Sequence, residues 1–375
     1  MKSALSLVTV VGARPQFVKA AAMGYVLRDR KTIKHTLIHT GQHYDHNMAG
    51  SFFSSLELGV DVFLSIGGMP SADQIGWMIL GLKDRFEKIK PDVVLLYGDT
   101  NSTLAGAIVA SKLDIPIIHV EAGVRLFDRT VPEEINRVIT DGLSDLLVCS
   151  SSLGEYNLIQ ERVFVREPVP EAIVAGDVML DSMMLWCPEV FHGEPVCPDS
   201  SLGLGVKDYY FATIHRPSNT DDIDRLTFVL DQLNRVGGVY PVLLPLHPRT
   251  RKALSQHLGG HSLESLWTKI RFIEPVSYTD CVMWQKGSRV VITDSGGMQK
   301  EAYWVRVPCV TVQPRTEWVE LVEGGYNRLT TDDIVGAVAE AEEFDLGFPD
   351  YVSYIYGDGT ASTTIVAKIE ERYGK

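Results

Sequence analysis

Asp99, Glu121, Glu133 and Arg137 fall within residues 92–137, and their settings suit proton chemistry. Asp92-Val-Val-Leu-Leu-Tyr-Gly-Asp-Thr100 and Ile117-Ile-His-Val-Glu-Ala-Gly123 are short apolar runs, each ending in a carboxylate beside glycine. Val131-Pro-Glu-Glu-Ile-Asn-Arg137 puts Pro132 at a first helical position, with Glu133 and Arg137 four apart on one helix face. Several ionisable groups at one mouth are what general acid–base catalysis requires. Plainer roles stand beside this one. An Asp after a parallel strand also caps the next helix or turn. Glu134 reads as a first-turn carboxylate facing the helix dipole. Glu121 has less structural excuse, because a Glu at a buried strand end is costly unless paired.

A second set of residues suits anions. Gly12-Ala-Arg-Pro-Gln-Phe-Val-Lys19 turns from a strand into a helix, and its glycine spacing is neither the dinucleotide fingerprint nor a Walker loop. Arg14 and Lys19 flank that helix start, where a phosphate or carboxylate would be favoured; the alternative is a solvated helix face. Thr40-Gly-Gln-His-Tyr-Asp45 makes Gln42 and His43 candidates in a binding loop or an ordinary turn. Asp294-Ser-Gly-Gly-Met-Gln-Lys-Glu301 is sharper. Ser295, Gly296 and Gly297 allow close backbone approach at a helix start whose free N–H groups suit a diphosphate, and Glu301 could accept ribose hydroxyls. A plain tight turn is the alternative. His215, Arg216, His247 and Arg249 also follow strands of this half, which favours the ligand reading.

The elements that must position these groups alternate strand and helix. Strands are expected at Leu5–Val11, His35–His39, 92–98, 117–121 and Leu146–Ser150, with helices at Gln74–Lys88 and Thr103–Leu113. Val163–Glu171 reads as loop, and Ile173–Val178 ends this half. Trp186–Val206, rich in Pro, Gly and Ser, reads as linker. A second series has strands at Tyr209–Ile214, Pro241–Leu246, Ile270–Ile273, Val290–Thr293 and Cys309–Val312, with helices at Ile223–Val236 and Tyr278–Lys286. Residues 363–374 form a last helix. Such alternation predicts an α/β protein with two doubly wound domains, in which ligands meet the carboxyl ends of the strands.

The net charge of −13 argues against a nucleic-acid or anionic membrane surface, while leaving room for a locally basic cleft. Five cysteines without CxxC spacing read as free thiols in a reducing compartment, with no zinc site. Ala4–Val11 is too short for a signal or membrane segment, so a cytoplasmic protein is expected.

Gly12-Ala-Arg-Pro, Gly41-Gln-His, Gly98-Asp-Thr, His119-Val-Glu-Ala-Gly, Pro132-Glu-Glu-Ile-Asn-Arg, Asp294-Ser-Gly-Gly and Tyr356-Gly-Asp-Gly occur in this order across nearly the whole chain. The ordered set resembles the non-hydrolysing UDP-N-acetylglucosamine 2-epimerase family. The resemblance implies Rossmann-like domains at 1–180 and 181–359 in a GT-B arrangement with the active site in the cleft between them, and a helix at 360–375 returning to the first. It implies a homodimer, needing no nicotinamide or metal, that inverts C2 of a UDP-2-acetamido sugar by eliminating and re-adding UDP. By match to the family pattern, Asp99, Glu121 and Glu133 are the catalytic carboxylates. Arg14, Lys19, Gln42, His43, Arg137, His215, Arg216, His247, Ser295, Gly296, Gly297 and Glu301 are the substrate contacts.

Gln313-Pro314 and Trp318-Val319 depart from the common epimerases, and Gln299–Tyr303 with Thr316–Glu320 look more like the branch acting on UDP-2,3-diacetamido-glucuronate. The extra carboxylate of a uronate asks for a cation, for which Arg14, Arg125, Arg129 and Arg315 are candidates. A hydrolysing epimerase, a GT-B glycosyltransferase and an inactive UDP-sugar binder are the rival readings.

Overall fold

The computed structural model describes residues 4–42, 58–193, 202–256, 262–344 and 355–374. Two compact units emerge: Met1–Trp186 with Tyr351–Lys375, and Cys187–Asp350.

The first unit is a seven-stranded sheet: β1 (Leu5–Val11), β2 (Ile33–His39), β3 (Val62–Phe63), β4 (Val93–Tyr97), β5 (Ile117–Val120), β6 (Leu146–Cys149) and β7 (Glu171–Val174). Its helices are α1 (Arg14–Leu27), α2 (Ser71–Ile89), α3 (Asn101–Lys112), α4 (Pro132–Leu143), α5 (Ser152–Gln160) and α6 (Val178–Trp186). The order is β3-β2-β1-β4-β5-β6-β7, with parallel pairing throughout. The strands are apolar along their length because helices cover both faces: every residue of β4, β5 and β6 is buried. Val8, Val10, Val94 and Leu96 pack with Met78, Leu82 and Phe86 of α2 in one core. The order reverses between β1 and β4, and a crevice opens there outside the strand ends.

The sequence explains how tightly that point is built. Gly12 ends β1 where a Cβ would lie 1.9 Å from Ser102 Oγ of α3, so only glycine fits. Gln16 accepts from the Gly12 and Ala13 amides at 2.7 and 3.1 Å and donates to the Tyr97 carbonyl and Thr103 Oγ1, both at 2.9 Å. One buried amide thus ties the ends of β1 and β4 together. The chain's last helix, Ala361–Tyr373, buries Ile365, Val366 and Ile369 and packs on α1 and α6. Its start is bonded by Asp181, which accepts from the Ala361 and Ser362 amides at 3.2 and 2.5 Å.

The second unit repeats the architecture. After α7 (Pro188–His192) come β8 (Tyr210–Thr213), α8 (Pro217–Thr220), α9 (Ile223–Val236), β9 (Val242–Pro245), α10 (Pro248–Ser255), α11 (Leu263–Leu266), β10 (Ile270–Ile273), α12 (Tyr278–Gly287), β11 (Val291–Thr293), α13 (Gly296–Trp304), β12 (Cys309–Thr311), α14 (Val319–Glu323), β13 (Asn327–Leu329) and α15 (Ile334–Glu343). The parallel sheet runs β10-β9-β8-β11-β12-β13, and its order reverses between β8 and β11.

Sequence patterns located most of the elements and missed others. β3, β13, α14 and α15 carried no expectation. The stretch read as linker holds the end of α6 and all of α7, and the loop expected at Val163–Glu171 contains a 3-10 turn at Val163–Val165 and the first residue of β7. No described helix is long and apolar enough to cross a membrane, and no group of three or more His, Cys, Asp or Glu among the described residues could hold a metal ion. Cys149, Cys187 and Cys309 are free thiols; Cys197 and His43 lie outside the described residues.

Candidate active site

In the first unit the loops after β4 and β5 bring Asp99, Lys19, Glu121 and Arg137 into two ion pairs. Asp99 does not cap α3. Thr100 takes that role, accepting from the Thr103 amide at 3.3 Å. The Asp99 carboxylate is free to pair with the Arg137 guanidinium, while Asn136 donates to the Asp99 carbonyl at 2.8 Å. Arg137 also reaches Glu134 at 3.0 Å. Glu134 is not a passive dipole carboxylate: it is buried and accepts from the Leu126 and Phe127 amides at 2.9 and 2.8 Å, fixing the loop before α4. Glu133, its neighbour, points to solvent in the first turn of α4.

Glu121 follows β5 with φ +74°, a conformation that a side chain with a Cβ adopts at a cost of about 1–3 kcal/mol. Lys19 Nζ meets its carboxylate at 2.5 Å, and both side chains are nearly excluded from water. The solvated-face alternative for Lys19 therefore fails, because its ammonium is buried against Glu121. Arg14 remains exposed at the start of α1. Gln42, at the end of β2, accepts from the Ser102 hydroxyl at 2.7 Å and its amide at 3.1 Å.

Beneath these pairs lies a buried group that the sequence reading passed over. His119 Nδ1 is 2.6 Å from Asp141 Oδ1 and Nε2 is 2.7 Å from the Gly98 carbonyl. Asp141 Oδ2 accepts from the Gly123 amide at 3.1 Å and pairs with Arg125 at 2.7 Å; Arg125 in turn grips Glu161. Burial pushes the Asp141 carboxyl up, but His119 and Arg125 outweigh it and hold the group below the ordinary carboxylate range. Arg125 is thus withdrawn from the set of cations offered to a uronate. A signal for Asp141 was present in the sequence: Glu134, Arg137 and Asp141 are spaced three and four apart. α4 is accordingly inverted. Its buried residues are Glu134, Asn136, Arg137, Thr140 and Asp141, whereas Ile135 and Ile139 are exposed.

In the second unit the loops after β8 and β11 meet around Asp294. This buried carboxylate accepts from the His215 and Arg216 amides at 3.0 and 2.9 Å and from Asn219 at 3.1 Å. His215 Nδ1 lies 3.4 Å from it, and the His215 ring stacks on His247 with centroids 5.1 Å apart. His247 caps α10 and is exposed with Arg249, which pairs with Asp221. Ser295 is the N-cap of α13 without using its side chain to cap, which leaves its hydroxyl and the Gly296 and Gly297 turn for a ligand. A Cβ on Gly296 would lie 2.9 Å from Glu317 and 3.4 Å from Arg216. Glu301 is buried one turn deeper and receives Gln285 at 2.8 Å; burial raises its carboxyl above the usual range.

The segment that departs from the common epimerases lies under this turn. Gln313 donates to the Asp294 carbonyl at 2.9 Å, Trp318 Nε1 to the Gly296 carbonyl at 2.9 Å, and the buried Lys300 ammonium stands 3.7 Å from the centre of the Trp318 ring.

Comparison with known proteins gives the family. The family model described as UDP-N-acetylglucosamine 2-epimerase matches residues 26–370. A Pseudomonas aeruginosa UDP-2,3-diacetamido-2,3-dideoxy-D-glucuronate 2-epimerase is 41% identical, covering 96% of this chain and 98% of its own. A Methanocaldococcus jannaschii UDP-N-acetylglucosamine 2-epimerase is 36% identical over 88% and 89% of the two chains. The crystal structure of a UDP-GlcNAc 2-epimerase from that organism, in complex with UDP-GlcNAc and UDP, superposes with a TM-score of 0.85 at 34% identity, covering 98% of this chain and 100% of that one. The Neisseria meningitidis enzyme bound to UDP-GlcNAc gives 0.82 at 25% identity, with coverage of 98% and 100%. This chain belongs to the UDP-N-acetylglucosamine 2-epimerase family.

Proposed function

We propose that the protein interconverts UDP-2-acetamido sugars epimeric at C2, without hydrolysis. The observation that carries this reading is that Asp99 and Glu121 end neighbouring strands and each has a cation in contact. The C2 proton of such a sugar is barely acidic, so its removal must be coupled to loss of UDP. In the first step a carboxylate takes the C2 proton, the C1–O bond breaks with its electron pair leaving on the diphosphate, and a C1=C2 double bond forms. In the second, the diphosphate oxygen adds back to C1 and a proton reaches C2 on the opposite face. Asp99, Glu121 and Glu133 are the acid–base groups. The amide-rich start of α13 with Ser295, Gly296 and Gly297, together with His215, Arg216 and His247, stabilises the diphosphate as charge develops on it. Arg14, Gln42 and His43 contact the substrate, Lys19 and Arg137 hold the carboxylates, and Glu301 serves the ribose end. The enzyme acts in the cytoplasm as a homodimer that supplies surface polysaccharide synthesis.

A second substrate, UDP-2,3-diacetamido-glucuronate, is favoured by the likeness to the Pseudomonas enzyme and by the Gln313–Trp318 segment packed under the diphosphate turn. Arg14, Arg129 and Arg315 are the candidates for contact with its carboxylate. The test is to incubate the protein with each nucleotide sugar in deuterated water and follow C2 by NMR. Deuterium at C2 of intact UDP-sugar is expected. Release of free sugar would reveal a hydrolase, and no exchange with either compound would leave a transferase or a binder.

A further inference from the structure

Past the last β4–β5 ladder bond, from the Gly98 amide to the Val120 carbonyl at 2.9 Å, the two strands diverge into their loops. Beyond it β4 and β5 share no further backbone bond: the Glu121 and Ala122 amides turn to the Val148 carbonyl of β6 at 2.9 and 3.0 Å, Asn136 holds the Asp99 carbonyl at 2.8 Å, and Glu121 is strained. His119 and Asp141 span the two sides. The His119 imidazole reaches the Gly98 carbonyl, next to Asp99, while Asp141 takes the Gly123 amide, two residues past Glu121. His119 and Asp141 touch each other at 2.6 Å, and neither is exposed. A purely structural need is poorly met by buried charges, since apolar residues of similar volume fill such a space at equal or lower cost.

We propose that His119 and Asp141 form a positioning pair, which holds the strand ends bearing Asp99 and Glu121 at the spacing that proton transfer at C2 requires. This rests on the C2-epimerase reading above. His119 does not touch the reacting atoms; it acts through the Gly98–Asp99 peptide. Its removal therefore lowers kcat and leaves KM and the affinity for UDP near their original values.

The experiment compares His119→Ala, His119→Gln and His119→Asn with the wild type, measuring kcat, KM, UDP binding by calorimetry and C2 deuterium exchange. The Gln amide reaches the Gly98 carbonyl, whereas the shorter Asn reaches only Asp141. His119→Ala and His119→Asn should lose about 10²-fold in kcat, the scale of a displaced catalytic group, and His119→Gln should recover a substantial part. Asp141→Asn, matched in shape, should lower kcat with unchanged UDP affinity. Equal kcat in the Gln and Asn variants, or losses confined to KM, would overturn the proposal, and those two variants decide it even if His119→Ala does not fold. Failure of the wild type to exchange C2 would defeat the functional reading and this inference with it. Exchange in the wild type at a rate that the His119 and Asp141 variants match would defeat the inference alone.

Discussion

Both units gather carboxylates around the carboxyl ends of their strands, on the strand ends themselves and on the helices that follow, but they partner them differently. In the first unit each has a cation in contact: Lys19 for Glu121, Arg137 for Asp99, and Arg125, beside the His119 imidazole, for Asp141. In the second the partners are chiefly neutral donors: backbone amides and Asn219 for Asp294, and Gln285 for Glu301. Asp141 and Glu301 show the consequence. Burial pushes both carboxyls upward, yet Asp141 ends below its ordinary range and Glu301 above it. His119 and Arg125 in contact reverse the burial effect; one amide and the nearby Lys300 do not. A charged, coupled cluster suits proton transfer, while a lattice of amides with spare N–H groups suits holding an anion.

The largest effect should come from the acid–base side alone. Asp99→Asn, Glu121→Gln and Glu133→Gln are each expected to lower turnover by at least about 10²-fold, with UDP affinity unchanged by calorimetry. Should all three retain near-original turnover, the division of labour between the units is wrong. Glu133 is the sharpest of these, because it is exposed while Glu134 is tied to two amides and Arg137.

Next in size is the buried ion pair. Lys19→Met leaves the Glu121 carboxylate without its cation and should cost about 3–5 kcal/mol of stability in urea unfolding. Adding Glu121→Leu should restore most of that loss. A single variant as stable as the parent would mean that the pair is not buried in solution.

Histidines in the same sheet extend the contrast to pH. His35 on β2 has Thr9 Oγ1 at 2.8 Å and no carboxylate in contact, and burial lowers it to about 4, with Asp61 opposing weakly. The folded state thus binds fewer protons than the unfolded chain between its ordinary value of 6.5 and about 4. Stability is full above that window and falls as the pH drops through it. About 3 kcal/mol should disappear between neutral pH and the lower end, and His35→Gln should flatten that part of the profile. For Asp141, lowered in the fold, stability is present above the ordinary aspartate value and lost only in stronger acid.

The smallest effects belong to the anion side, where several donors share the ligand. His215→Ala and Ser295→Ala should each weaken UDP binding about tenfold, the scale of one hydrogen bond to a charged group. Unchanged affinity in both would remove the second unit from nucleotide binding.

Local patterns in the chain determined the α/β class, the alternating elements and the order of the site motifs. Buried parallel strands are unbroken Val, Ile and Leu runs, and strand ends are marked by glycine beside a polar residue. They also pointed to Asp99, Glu121, Ser295 and His215, because ligands of such sheets meet the carboxyl ends of the strands. β3 and β13 carried no such strand signal: β11 and β12 are as short or nearly so but are fully buried apolar-rich runs, whereas β3 and β13 are largely half-exposed. What only the tertiary structure decided was pairing. Lys19 could be read as an anion contact or a solvated lysine until α1 packed it against a strand end far along the chain, and Arg125 looked available until Asp141 and Glu161 took its guanidinium. α4 makes the same point: its buried face is polar, and burying charge is tolerable only where partners from other elements arrive at contact distance. Those partners are set by sheet order and register, so the sequence carries the groups and the fold carries their partnerships.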